Sequence, residues 1–356
     1  MSGVVHWGIL GAGYIAKKFA AALQELPEAK LLAVGSRSPE RAESFGHEFA
    51  VPHRYANYTE LANDPQIDVV YVATRHPSHQ NNVLLSLAAG KSVLCEKPFA
   101  LNASQAKQVI DLARRKKLFL MEAMWTRFFP LMVKLRDMLR ERVIGEPRML
   151  IADFGFRAEF DPTSRLFNPA DGGGALLDVG IYPVSLASMI FGTPVQIASL
   201  ARLGKSGVDE ESTVLLQQAG GELAMIGCAV RTNMPQEAAI MGSAGQIRIH
   251  SPWWRPQSMS LLVDQGRRCV QRQKQLRFHL PFARPIILSV TARVGSERTL
   301  DFPIEGNGYR YEAAEVMRCL REGELESPVM PLDESLSIMQ TLDAIRAQWG
   351  LKYPGE

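Results

Sequence analysis

Three polar side chains carry the most explicit chemistry in this 356-residue sequence. Asp178 and Tyr182 lie four residues apart in Leu177-Asp178-Val179-Gly180-Ile181-Tyr182-Pro183, which puts them on one face if the stretch opens a helix. Lys97 follows an apolar run in Cys95-Glu96-Lys97-Pro98-Phe99. Oxidising an alcohol requires a group that takes the hydroxyl proton as hydride leaves, and reducing a carbonyl requires the same group to return it. A tyrosine titrates near about 10 unperturbed, and a neighbouring ammonium stabilises its phenolate by about 1.4 kcal/mol per unit of lowering. Lys97 beside Tyr182 is therefore expected to lower its pKa, with Asp178 orienting the substrate hydroxyl. Taken singly, these residues also read as a helix-capping aspartate, a helix-surface tyrosine and an exposed lysine at a strand end.

Hydride transfer needs a carrier, and the N-terminal residues supply a place for one. Gly8-Ile9-Leu10-Gly11-Ala12-Gly13-Tyr14-Ile15-Ala16 sets GxGxxA directly after an apolar strand and at the mouth of a helix. Gly11 permits the tight turn, Gly13 clears the approach of a pyrophosphate and Ala16 allows close helix-to-strand packing. Ala12, Tyr14 and Ile15 complete the phosphate-facing helix N-terminus, where free N–H groups and a partial positive charge favour anions. An NAD site carries an acid at the end of the second strand for the ribose 2′-hydroxyl. Here the chain reads Val34-Gly35-Ser36-Arg37-Ser38, with Arg41 one helical turn further on. Hydroxyls and two guanidinium groups suit a 2′-phosphate, so NADP is the expected cofactor.

The elements that must position these residues alternate. Apolar β-rich runs at 4–10, 30–35, 69–73, 92–95 and 118–121 are separated by helical stretches at 15–25, 39–49, 81–89 and 104–116. That alternation predicts a doubly wound parallel sheet of the Rossmann type over 1–121, with Lys97 at its carboxyl edge. From 122 to 356 the pattern changes to a helix at 129–142, a strand at 148–154, the turn Asp171-Gly172-Gly173-Gly174 and a helix at 177–191. Six short β segments follow, at 195–203, 213–218, 223–230, 237–241, 246–250 and 258–263, before closing helices at 309–322 and 332–348. Consecutive short strands imply an α+β unit with a large, open, mostly antiparallel sheet. The fold class is thus α/β, in two domains.

Composition narrows the partners. A net charge of +3, with Lys and Arg mixed among Asp and Glu, gives no footprint for nucleic acid. Four scattered cysteines, Cys95, Cys228, Cys269 and Cys319, form no CxxC pair and have no histidine at metal-ligand spacing, so no metal and no disulfide framework is expected. The start of the chain lacks the basic segment and cleavage site of a signal peptide. No uninterrupted apolar run reaches the roughly 18 residues that cross a bilayer. A cytoplasmic protein that does not enter membranes is expected.

Taken together, Gly11-Ala12-Gly13-Tyr14-Ile15-Ala16, Glu96-Lys97-Pro98, Met121-Glu122-Ala123-Met124-Trp125-Thr126-Arg127-Phe128, Asp178-Val179-Gly180-Ile181-Tyr182-Pro183 and Gly308-Tyr309-Arg310-Tyr311-Glu312-Ala313 resemble the glucose-fructose oxidoreductase/myo-inositol dehydrogenase (Gfo/Idh/MocA) family. Within it they resemble the branch of dimeric dihydrodiol dehydrogenases and NADP-dependent xylose dehydrogenases, over essentially the whole chain. The resemblance implies that Lys97 and Tyr182 form the catalytic pair with Asp178 assisting. It also implies that Glu96 and Lys97 lie against the nicotinamide ribose and that Trp125 and Arg127 approach the nicotinamide end. Its substrates would be sugars, polyols or cyclic diols, and the open sheet would join subunits into a homodimer or homotetramer. Where many relatives have Thr-Pro, this chain has Thr74-Arg75-His76-Pro77-Ser78-His79. Thr74, His76 and His79 are expected at the cofactor, with Arg75 altering the cleft. A second departure is the basic stretch 264–298, read as a solvated excursion of the sheet edge. Two other readings of the same fold are an NAD-dependent glycosidase using the dinucleotide as a transient oxidant, and a non-catalytic NADP-binding sensor.

Overall fold

The computed structural model describes residues 3–264 and 296–356. Cys269 and the arginines between 265 and 295, hence most of the basic stretch, lie outside the described residues.

The first sheet is built from β1 (Val5–Leu10), β2 (Ala29–Gly35), β3 (His53–Tyr55), β4 (Val69–Val72), β5 (Ser92–Glu96) and β6 (Leu120–Ala123). The order is β3-β2-β1-β4-β5-β6, with every neighbouring pair parallel. Between the strands run α1 (Tyr14–Gln24), α2 (Pro39–Glu48), α3 (Tyr58–Ala62), α4 (His79–Ala88) and α5 (Ala103–Lys116). The central strands carry apolar residues at successive positions because both faces are covered; all four residues of β4 are buried. α1 buries Ala16, Phe19, Ala20 and Leu23, the i, i+3, i+4, i+7 stripe of an amphipathic helix. Phe19 stacks on Tyr71 of β4 at 3.8 Å between ring centroids. The strand order reverses between β1 and β4, which opens a crevice at their carboxyl ends where such sheets receive ligands. β3 and α3 add to the alternation expected from the sequence.

The remaining elements are α6 (Pro130–Arg140), β7 (Pro147–Gly155), a π-helical turn (Leu176–Gly180) leading into α7 (Ile181–Phe191), β8 (Pro194–Leu203), β9 (Asp209–Gln218), β10 (Leu223–Ala229), β11 (Ala238–Gly242), β12 (Gly245–Ile249), β13 (Ser258–Val263), β14 (Ser296–Asp301), α8 (Tyr309–Glu322) and α9 (Leu332–Ala347). The second sheet runs β14-β13-β12-β11-β7-β10-β9-β8, antiparallel throughout except for the β7–β10 pair. Along β9 burial alternates: Val214 and Leu216 are buried while Leu215 between them is exposed. The open face carries Leu215 beside Met225 of β10 and Ile151 of β7, in one register row.

One stretch, Pro169–Phe191, has the length and mean hydropathy (1.6) of a membrane span, although Asp171 and Asp178 keep any uninterrupted apolar run within it shorter. Gly172 and Gly174, at φ +68° and +116°, break the helical path near its start, and the helix is continuous only from the π-helical turn through α7, where Gly180 and Pro183 are accommodated. In its most apolar window 78% of residues are buried inside the protein, so it serves as the core helix behind the second sheet.

Candidate active site

A cleft of ≈ 1320 Å³ lies between the carboxyl edge of the first sheet and the inner side of the second. At one end Gly11 takes φ +103°, and a Cβ there would sit 2.7 Å from Ala73 O, so this turn passes too close to β4 for any other residue. A Cβ on Gly13 would meet nothing within 4 Å: the space above it is open, as a phosphate cradle needs. Gly13 is also the N-cap of α1 and offers no capping side chain, leaving the first-turn N–H groups of the helix for a ligand. Arg37, just past the end of β2, and Arg41, in the first turn of α2, are exposed, and Ser36 is buried beside Arg37, all along the cleft. Ser38 is committed elsewhere: its hydroxyl donates to Glu40 (2.6 Å) and caps α2 by accepting from the Arg41 N–H. These features fit a dinucleotide.

Lys97 leaves β5 through a turn held from two sides. The Phe99 N–H donates to Glu122 Oε1 (3.0 Å), and His79 sets its ring nitrogens 2.8 Å from Pro98 O and 3.0 Å from Thr74 O. Lys97 Nζ donates to Asp178 O (2.7 Å) and lies 3.4 Å from Asp178 Oδ1, while standing 5.0 Å from the centroid of the Tyr182 ring. The π-helical turn places Asp178 so that its carbonyl, as well as its carboxylate, meets the lysine. Arg165 completes the group, donating from both terminal nitrogens to the Asp178 carboxylate at 2.8 and 3.4 Å. The helix start is fixed in turn by Asp209, whose Oδ2 accepts the Leu176 N–H at 2.6 Å; Gly174, at φ +116°, leaves room for that carboxylate where a Cβ would come within 2.1 Å of Oδ1.

The electrostatics follow from this arrangement. Burial works against an Asp178 anion, but Lys97 and Arg165 outweigh it and hold the carboxyl well below its ordinary range. Burial likewise opposes the Lys97 ammonium, yet Tyr182 and Asp178 raise its pKa on balance. Tyr182 departs from the sequence expectation. Burial pushes its hydroxyl above the ordinary value, and the opposing pull of Lys97 does not compensate. Asp178 departs too, because its oxygens serve Arg165 and Lys97, so it fixes the lysine rather than standing free for a substrate hydroxyl. Burial pushes Glu96 up, against a hydrogen bond donated by the Tyr71 hydroxyl. Burial also lowers His76 to about 3 and keeps it neutral.

Of the residues singled out by sequence, Gly11, Ala12, Gly13, Tyr14, Ile15, Ser36, Arg37, Arg41, Thr74, His76, Glu96, Lys97, Trp125, Asp178 and Tyr182 all line this one cleft. His79 and Arg127 do not. His79 is fully buried behind the wall, tying two of its loops. Arg127, expected at the nicotinamide end, is 2% exposed and turned away from the cleft, where it donates to Ser185 Oγ and O, Val329 O and Glu334 Oε1 at 2.6–3.1 Å. A guanidinium so satisfied ties α7 to α9; removing one partner of such a buried pair costs about 3–5 kcal/mol.

Several lining residues had no assigned place in the sequence reading. Arg165 is one. Others form an aromatic wall: Phe154 and Trp254 stack face to face at 5.0 Å, Tyr309 stacks on Trp125 at 4.5 Å, and Phe154 meets Tyr182 edge-on at 5.3 Å. The Trp125 Nε1–H donates to the Tyr182 hydroxyl at 3.2 Å. Tyr309 stands in a segment that the family resemblance had marked, whereas Trp254, in the β12–β13 connection, had no sequence signal. Arg75 spans the cleft to Asp171, donating to both carboxylate oxygens at 2.8 and 2.7 Å.

Comparison with known proteins agrees with this geometry. The GFO/IDH/MocA oxidoreductase family model, described as an NAD-binding Rossmann fold, matches residues 5–124, and the GFO/IDH/MocA C-terminal domain model matches 132–248. The chain is 39% identical to trans-1,2-dihydrobenzene-1,2-diol dehydrogenase of Mus musculus and 38% identical to that of Homo sapiens, covering 98% of each chain in both cases. Among solved structures it is similar to an aldose-aldose oxidoreductase from Caulobacter crescentus (TM-score 0.81, 23% identity, 98% of each chain). It is also similar to a 3-ketoreductase from Actinomadura kijaniata in complex with NADP and TDP-benzene (TM-score 0.79, 24% identity, 97% of each chain).

Proposed function

The chain belongs to the GFO/IDH/MocA oxidoreductase family as a dehydrogenase or reductase acting on CH–OH groups, and from that premise we propose that it moves a hydride between NADP and a diol, sugar or polyol carbon, with Tyr182 as acid/base. The observation that carries the assignment is the convergence of Lys97, Asp178 and Tyr182 in the same cleft as the Gly11–Gly13 turn. When bound, the nicotinamide accepts or delivers the hydride.

The chain's own residues handle the proton. Burial keeps the Tyr182 hydroxyl protonated, so in the reductive direction it donates to the carbonyl oxygen. The Trp125 N–H occupies one lone pair of the Tyr182 oxygen and so limits how that hydroxyl can turn. The Lys97 ammonium stabilises the phenolate left behind, and its position is set by the Asp178–Arg165 pair. In the oxidative direction the phenolate takes the proton back.

Gly13, Ser36, Arg37 and Arg41 would hold the dinucleotide. Preference for NADP is supported by the two arginines, by the absence of an acid in Val34–Ser38, and by the NADP in the structurally similar ketoreductase. The stacked Phe154–Trp254 wall suits a flat ring, in keeping with the dihydrodiol named for the mouse and human relatives. The division of the chain at 121/122 belongs to the same proposal, as does self-association through the open sheet face into a dimer or tetramer. The three described cysteines are unpaired thiols, which suits a reducing, cytoplasmic setting. An absorbance screen at the nicotinamide wavelength, over aldoses, inositols, anhydrosugars and dihydrodiols with NADP and NAD in parallel, tests the reading. Turnover of a CH–OH compound with NADP supports it; binding of NADPH without turnover anywhere in the panel contradicts it.

A further inference from the structure

The substrate side of the cleft contains a cation that meets no protein partner among the described residues. In the β12–β13 connection, Trp254 is pinned at both ends: its Nε1–H donates to Gln236 Oε1 (2.9 Å) and its carbonyl accepts the Thr126 hydroxyl (2.7 Å). Gln236 is itself anchored, donating from its backbone N–H to Asp153 Oδ1 (2.7 Å) and from Nε2 to Gly155 O (2.9 Å). Its backbone stands at φ +58°, which a residue with a Cβ adopts where its surroundings enforce it. Arg255, the next residue after Trp254, lines the cleft on this rigid support. Its Nε is shielded from water and meets no acceptor, and no other N–H of the guanidinium reaches a protein acceptor among the described residues. A buried donor left without a partner carries its full desolvation cost, so a built site with such a donor is completed by a ligand.

The carboxylates that could have answered Arg255 are already engaged. Asp171 is held by Arg75, Asp178 by Lys97 and Arg165, and Glu96 by the Tyr71 hydroxyl. Seven cationic side chains line the cleft against those three acids, so the surplus is positive. Lys18, Arg37 and Arg41 belong to the dinucleotide end. Arg255 remains on the substrate side, together with Arg165, whose side chain is still 50% exposed after its bonds to Asp178. A guanidinium offers a planar fork that matches the paired oxygens of a carboxylate or phosphate.

We propose that this cleft selects alcohols and carbonyl compounds bearing an oxyanion, a carboxylate or a phosphate, which Arg255 binds while the Trp254 wall covers the carbon skeleton. The proposal rests on the hydride-transfer reading of the same site and names the substrate class within it. Two matched pairs of probes test it on the NADPH-loaded protein: cyclohexane-1,2-diol against 3,4-dihydroxycyclohexane-1-carboxylate, and inositol against inositol 1-phosphate. Binding is followed by the fluorescence of the wall tryptophans, and turnover is measured alongside. At least one anion is expected to bind tenfold or more tightly than its neutral partner, with the preference weakening as salt rises. Which pair shows the larger ratio distinguishes carboxylate from phosphate. Arg255→Gln is expected to cut that ratio at least tenfold, and Arg255→Lys to restore part of it. A ratio near one in the unmodified protein, no measurable binding of either anion, or a ratio unchanged by Arg255→Gln overturns the proposal. Selective binding of an anion without turnover of any probe supports the site while counting against the hydride-transfer reading, so the two fail separately.

Discussion

At the scale of single residues, the site depends on which groups burial leaves charged. Tyr182 and Lys97 show the balance: the lysine keeps its proton because Tyr182 and Asp178 face it, and the tyrosine keeps its own because burial outweighs the lysine. Arg37 carries a different proposal, the preference for NADP over NAD. Charge-assisted hydrogen bonds to a phosphate contribute about 1.5–3 kcal/mol. Arg37→Ala is therefore expected to raise the KM for NADP by about 10- to 100-fold, with a far smaller effect on NAD, as measured by steady-state kinetics with both cofactors; equal effects on the two contradict the assignment. Much of this scale was legible in the sequence, because Gly11, Gly13, Arg37 and Lys97 each follow a recognisable strand. Arg165 was not, since its loop has no periodicity and its partner lies thirteen residues away. Arg127 was misplaced because Glu334, the acid that draws it inward, is 207 positions distant. The direction of the Tyr182 shift was missed because the sequence shows the neighbouring ammonium but not the depth of burial.

At the scale of elements, two buried carboxyl groups hold the segments that bear Lys97, Asp178 and Tyr182. Glu122 accepts from the turn after Lys97, and Asp209 accepts at the start of the helix bearing Asp178 and Tyr182. Burial raises both to about 7 despite their backbone hydrogen bonds. A carboxyl whose folded pKa exceeds its unfolded value adds stability at low pH, which is lost as pH rises through the folded value. For Asp209 that loss falls between about pH 4 and about pH 7. Asp209→Asn keeps an oxygen for the Leu176 N–H and carries no charge. Its Tm relative to the unmodified protein is thus expected to be higher at pH 8 than at pH 5, as read by thermal melts; a pH-independent difference contradicts this role. Both anchors escaped the sequence reading. A lone acid at a strand start or inside a strand has no local signature, and its function arises from a loop brought to it by the fold. The strands and helices themselves were largely legible, because their apolar periods of two and 3.6 residues are local. β3 and α3, at three and five residues, are too short to show a period.

At the scale of the whole molecule, the two sheets meet at the cleft: the first turns its carboxyl edge to it, and the second lines it on one side and presents an apolar face on the other. Leu215, Met225 and Ile151 are 48%, 39% and 43% exposed in adjacent strands, an arrangement that monomeric proteins rarely leave uncovered. Under the proposed assembly through this face, the unmodified protein self-associates in sedimentation velocity, and Leu215→Glu combined with Met225→Glu is expected to leave it monomeric with the circular dichroism unchanged. A monomeric unmodified protein, or a double variant that still associates, would contradict assembly through this face. The sheet's existence was readable from the series of short β segments. The parallel β7–β10 pair was not, since nothing local to either strand specifies its partner.

The central claim is that Tyr182 carries the proton during hydride transfer. Its most direct test is the single-turnover rate of NADPH consumption with a carbonyl substrate, compared between the unmodified protein and Tyr182→Phe from about pH 6 to about pH 11, with NADPH binding measured in parallel. Because burial holds the phenol protonated, the unmodified protein should react at a constant rate through neutrality and lose rate only above the ordinary tyrosine value of about 10. Tyr182→Phe should bind NADPH normally, react about 10²- to 10⁴-fold more slowly and lack that alkaline limb. A Tyr182→Phe protein that keeps both the full rate and the alkaline limb would show that the proton travels through another group.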